Sequence, residues 1–192
     1  MMVASIVVFA SGNGSLAQAI FDAVESGELK ARILELVCDK PGSKVLERAA
    51  KAGIASFIHP MQKDRLQWDA ELIEHMDRLQ PDLVVSAGFM RIVSPFFLSR
   101  FKMINTHPAL LPAFPGAHPV RDAIAAGVSV TGASVHWVDA GVDTGAVIAQ
   151  AHVDVLPTDD ESTLHERIKI VERGLIVATL TELLPTLESD RA

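Results

Sequence analysis

A chain of 192 residues with a hydrophobic fraction of 49% holds enough apolar material for one well-buried α/β core, and residues 1–192 are read as a single domain. A net charge of −7, with no basic run and no interleaving of aromatic and basic residues, excludes nonspecific nucleic-acid binding, in which phosphate neutralisation dominates affinity. No apolar run reaches the ~20 residues of a membrane helix, Met1-Met2-Val3-Ala4-Ser5 lacks the basic region and cleavage site of a signal peptide, and the single cysteine, Cys38, fits a reducing cytoplasm.

Apolar strands alternate with amphipathic helices along the chain. Residues 5–9 read as a first strand, with Ile6-Val7-Val8-Phe9 apolar throughout and therefore covered on both faces. A glycine turn leads to a helix over residues 16–26, a strand over 31–38 that contains Cys38, and a helix over 43–52 stopped by Gly53. A short strand over 55–58 precedes a longer helix over 63–79, ended ahead of Pro81. Strands follow over 83–86 and 103–106, then a helix over 120–126 and strands over 131–138 and 146–155. A capping-box pattern at Thr158–Glu161 opens the last helix, whose buried stripe is Leu164, Ile168, Val171 and Leu175. This alternation predicts a doubly wound, mostly parallel twisted sheet with helices on both faces, and a ligand cleft at the carboxyl ends of the strands where their order reverses. An apolar face on the 63–79 or the 120–126 helix would suit a homodimer.

Chemistry concentrates in Asn105-Thr106-His107-Pro108 and in Val142-Asp143-Thr144-Gly145. Strand alternation points Asn105 and His107 the same way, and Pro108 ends strand pairing directly after them. An amide, an imidazole and a carboxylate together can stabilise an oxyanion, move a proton and orient the group that moves it. No serine or cysteine nucleophile is needed if the substrate brings its own amine. The turn Ser11-Gly12-Asn13-Gly14-Ser15 between first strand and first helix offers unpaired amides to a phosphate. Gly12, Gly14 and Ala17 also satisfy the dinucleotide fingerprint, with Asp39 placed as a ribose-binding acid, and a turn without ligand is the third reading. The seven histidines show no metal spacing, so no metal is expected. His59, His75, His152 and His165 are read as surface or packed residues, whereas His118 lies in a loop near the site.

These motifs, together with Ala87-Gly88-Phe89-Met90-Arg91-Ile92-Val93 and Gly132-Ala133-Ser134-Val135-His136-Trp137-Val138, resemble the formyltransferase family that uses 10-formyltetrahydrofolate. The similarity spans almost the whole chain. It implies a Rossmann-like formyltransferase fold, 10-formyltetrahydrofolate as co-substrate, and phosphoribosylglycinamide (GAR) of purine synthesis as acceptor, in the cytoplasm. It implies a catalytic group of Asn105, His107 and Asp143, and a GAR phosphate and ribose site at Gly12, Asn13, Gly14, Ser15, Leu16 and Glu172. Without the resemblance, the helix face carrying His165, Lys169 and Glu172 would be read as solvated. Folate would contact Met90, Arg91, Ile92, Val93, His136, Asp139, Ala140 and Gly141, with Arg91 near its acidic tail. Phe89 is read as core, and Pro112, Pro115 and Gly116 as shaping the loop.

The chain departs from the family pattern in having Leu16 after Ser15, where many relatives have asparagine, and Ala146 where proline is usual. A hydrolase that deformylates 10-formyltetrahydrofolate would share the Asn–His–Asp group, but it would not require a phosphate loop and is expected to carry an N-terminal regulatory domain. A transferase acting on methionyl-tRNA would be longer and less acidic. A non-catalytic phosphosugar module would have no use for Asn105, His107 and Asp143 together.

Overall fold

The computed structural model describes residues 3–189. Thirteen elements run in the order β1 (Ser5–Ala10), α1 (Ser15–Glu25), β2 (Arg32–Cys38), α2 (Lys44–Lys51), β3 (Ser56–Ile58), α3 (Arg65–Leu79), β4 (Leu83–Ser86), α4 (Pro95–Arg100), β5 (Met103–His107), α5 (Pro119–Ala125), β6 (Val130–Trp137), β7 (Val147–Asp154) and α6 (Glu161–Ser189). The strands form one sheet in the order β3-β2-β1-β4-β5-β6-β7. Strands β1 to β5 pair in parallel, whereas β5–β6 and β6–β7 are antiparallel. No crossover helix stands between β6 and β7, and a short loop can only return the chain antiparallel. The doubly wound, mostly parallel expectation holds, with an antiparallel margin on one side.

Period-two alternation along β1 explains how the two faces are covered. Ile6, Val8 and Ala10 pack with Ile20, Phe21, Ile176 and Leu180, beneath α1 and α6. Val7 and Phe9 point the other way, into Trp68, Leu72, Met76 and Phe97 of α3 and α4. Every residue of β1 and β4 is buried, as befits central strands that are apolar apart from Ser5 and Ser86 at their ends. A third cluster joins Val120, Ala133, Val153, Leu164 and Ile168, seating α5 and α6 against the antiparallel margin.

Element boundaries fall within two residues of the sequence reading, with one omission. Helix α4 was not expected. Its six residues are too few to show a period, but Ser94 caps it by accepting from the Phe97 N–H, and Pro95 opens its first turn. The stripes considered for a homodimer pack inward: Pro119, Val120 and Ala123 of α5 are buried, as are Trp68, Leu72, Ile73 and Met76 of α3. Among the described residues, no helix is long and apolar enough to cross a membrane.

The chain winds outward from β1 to β3 on one side, then crosses to β4 and β5 on the other. The order therefore reverses between β1 and β4. Their carboxyl ends deliver Ser11 and the segment after Ser86 to one edge, and β5 adds Asn105 and His107 beside them.

Candidate active site

Antiparallel pairing of β5 with β6 sets Asn105 opposite His136 and His107 opposite Ser134. The β6–β7 loop carries Asp143 back over this pair in a left-handed backbone conformation (φ 55°). Four polar side chains then meet. His107 Nδ1 stands 3.4 Å from Asp143 Oδ2, and His136 Nε2 stands 3.5 Å from Asp143 Oδ1. Asn105 Nδ2 lies 3.3 Å from His136 Nε2, and the Gly116 N–H donates to Asp143 Oδ2 at 2.9 Å. The expected trio is brought together, and His136, expected as a folate contact, joins it.

Hydrogen bonding assigns the tautomers. His136 Nδ1 faces the Trp137 carbonyl at 2.9 Å and so carries a proton, while its Nε2 stands between Asn105 Nδ2 and the Asp143 carboxylate. His107 Nε2 faces the Phe114 carbonyl at 2.8 Å and donates to it. A second proton on His107 would point from Nδ1 at the Asp143 carboxylate. Burial pushes the Asp143 carboxyl up, but His136, the Gly116 N–H and His107 together outweigh it and hold the group below the usual carboxylate range.

These groups line a cleft of about 440 Å³ together with residues 88–93, Asp139 and Gly141. Met90 and Ile92 are exposed at its mouth. Phe89 is core, edge-on to Phe9 with ring centroids 5.1 Å apart, and Val93 is buried beside it with only an edge on the cleft. Ala140 does not line the cleft, although its neighbours do. His118, expected near the site, also lines the cleft, as do Glu161 and His165, which were not assigned there from sequence. Burial holds the His165 imidazole below its ordinary value, with Lys169 adding to the effect. Asp39 does not fit a ribose-binding acid: its side chain is fully buried, and its Oδ2 accepts from Arg91 Nε at 2.6 Å. Among the described residues, no group of histidine, cysteine, aspartate and glutamate could hold a metal ion.

The glycine loop lies beside this cleft rather than in it. Ser11 ties the two together, its hydroxyl accepting from the Met90 N–H at 2.8 Å. Helix α1 begins at Ser15 without a side-chain cap, so its first N–H groups stay available to an anion. Helix α2 backs the loop. The Val45 N–H donates to the Gly12 carbonyl at 3.1 Å, and Arg48 donates to Asn13 at both its backbone oxygen (2.8 Å) and Oδ1 (3.2 Å). Gly14 adopts φ 74°, and a Cβ there would stand 2.4 Å from Val45 Cγ2. Leu16, which stands where many relatives have asparagine, turns its side chain against the core beneath β1.

Glu172 lies on α6, buried rather than solvated, and burial pushes its carboxyl up to about 7 despite Lys169 and Arg173. A folded-state value raised from 4.5 means that the native protein binds this proton more tightly than the unfolded chain. That stabilisation is complete below 4.5 and is lost as pH rises to about 7. Glu172→Gln is therefore expected to leave stability nearly unchanged at about pH 4.5 and to raise it by up to about 3 kcal/mol at about pH 8. Urea unfolding of both proteins at the two pH values checks this, and equal differences at both would contradict it.

An α/β sheet with an amide, two imidazoles and a carboxylate beside an anion-ready loop is the arrangement of a group-transfer enzyme. The formyl transferase family profile matches residues 4–180, and the chain belongs to that family. It is 51% identical to phosphoribosylglycinamide formyltransferase of Mycobacterium tuberculosis over 187 residues, 94% of this chain and 85% of the relative. It is 42% identical to the enzyme of that name from Escherichia coli, covering 89% of this chain and 82% of the relative. Glycinamide ribonucleotide transformylase 1 of Geobacillus kaustophilus superposes with a TM-score of 0.91 at 43% identity, over 95% of this chain and all of that one.

Proposed function

We infer that this chain transfers the formyl group of 10-formyltetrahydrofolate to the amine of 5′-phosphoribosylglycinamide, a step of de novo purine synthesis. The observation that carries this reading is the convergence of Asn105, His107 and Asp143 on one cleft. The relatives that share this fold over most of their length support the choice of acceptor. The same reading makes the enzyme cytoplasmic, in keeping with its one free, buried cysteine.

The acceptor amine attacks the formyl carbon, forming a C–N bond and placing negative charge on the formyl oxygen. The Asn105 amide and protonated His107 stabilise that charge. For this, His107 exchanges the Phe114 carbonyl for the oxyanion as the acceptor of its Nε2–H. The C–N10 bond then breaks, and a proton passes from the attacking amine to the departing N10. His107 assists that transfer, while Asp143 faces its Nδ1 and keeps the imidazolium paired. No electrons are exchanged with a second reactant.

Folate occupies the cleft along residues 90–93, Asp139 and Gly141, on one side of the reacting atoms. The N–H groups of residues 12–15 receive the GAR phosphate, and Glu172 accepts from its ribose hydroxyls. Gly14→Val tests the acceptor half of this assignment, because the added side chain must displace Val45 and turn the loop. The expected result is a rise of about tenfold or more in the KM for GAR, as for loss of one or two charge-assisted hydrogen bonds, with the folate KM within about twofold. Equal increases in both KM values would remove the loop from GAR binding.

A further inference from the structure

The Asp39–Arg91 pair is a buried charge that the transfer chemistry does not use. The Asp39 carboxylate is wholly enclosed at the end of β2, while Arg91 is 34% exposed and lines the cleft. Enclosing an ion is costly unless a partner compensates it, and Arg91 Nε at 2.6 Å is that partner. The other carboxylate oxygen, Asp39 Oδ1, is buried without a hydrogen bond, so the contact to Arg91 has no substitute on the aspartate side. A guanidinium has five N–H donors in a rigid plane, and this bond takes the one on Nε. That bond restrains the guanidinium and leaves the two Nη groups as a fork. Segment 88–91 is held independently by the Met90 N–H to Ser11 and by the Ser11 N–H to the Gly88 carbonyl at 3.2 Å. A pre-oriented fork on a rigid wall suits a carboxylate.

We propose that Asp39 is a positioning residue that aims Arg91 across the outer wall of the cleft to receive a carboxylate of the folate's tail. This rests on the assignment of the cleft to folate. Asp39 touches no substrate. It acts by holding a flexible arginine in one orientation, so less ordering is required when the tail arrives. Its substitution weakens recognition of the tail without altering the reacting end of the site.

The test compares binding of folic acid with that of its glutamate diester, the same molecule with both tail carboxylates neutralised, by titration calorimetry on the whole protein. The wild type is expected to prefer folic acid by about tenfold, the effect of one charge-assisted contact. Asp39→Leu removes the acceptor while keeping the branched skeleton and is expected to abolish that preference, leaving diester affinity within about twofold. Asp39→Asn keeps a neutral acceptor for Arg91 and is expected to retain part of the preference, which supplies a readout should the leucine variant fold poorly. Full preference in Asp39→Leu would overturn the proposal, as would parallel weakening of both ligands, the mark of a merely structural role. Equal binding of the two ligands by the wild type would overturn the carboxylate fork. A wild type that binds neither overturns the folate assignment itself, and the role of Asp39 falls with it.

Discussion

Asp143→Asn is expected to lower kcat by about 10²–10⁴-fold, the range for loss of a positioned acid–base group, with small changes in both KM values. One carboxylate faces both imidazoles, at 3.4 Å from His107 and 3.5 Å from His136, and accepts from the Gly116 N–H. Asparagine preserves the shape and tolerates the left-handed backbone at this position (φ 55°), so the substitution isolates the charge. Without that charge, protonated His107 loses its counter-ion just when it must stabilise the oxyanion. The three influences that keep the carboxyl ionised in the native protein leave the wild type charged throughout the neutral range. Steady-state kinetics of the purified variant check this, and a fall of less than about tenfold would remove Asp143 from the chemistry.

Asn105→Ala is expected to lower kcat by about 10²–10³-fold, again with modest change in KM. The amide acts on charge that appears only in the transition state, so substrate binding has little use for it. The structure adds a reason for its precision. His136 Nε2 stands 3.3 Å from Asn105 Nδ2 while its Nδ1 is anchored on the Trp137 carbonyl, which holds the imidazole against the amide. An unchanged kcat would take Asn105 out of the reaction. A loss confined to KM would make it a binding residue.

Much of this arrangement was legible in the sequence because its causes are local. The apolar run in β1 declares a doubly covered strand, and period two within β5 places Asn105 and His107 on one face. Asp143 was legible as a polar residue between turn-forming neighbours. What escaped depends on register and on distant contacts. The place of His136 beside Asn105 follows from β5–β6 pairing across 31 residues, which no local pattern sets. The grip of Arg48 on Asn13 spans 35 residues, and that of Arg91 on Asp39 spans 52. Asp39 was legible only as an acid after a strand, equally suited to a ribose or to an arginine. Leu16 was legible as the start of a helix, but the turn of its side chain under β1 was not. Helix α4 left only its cap, Ser94 followed by Pro95, as a local signal.

The most direct measurement follows 10-formyltetrahydrofolate spectroscopically as purified protein is added, with and without phosphoribosylglycinamide, and identifies the product. The account predicts consumption that requires the glycinamide and yields its formyl derivative in equal amount. Consumption at the same rate without the glycinamide would mean that water is the acceptor, and would contradict the transfer assigned to this site.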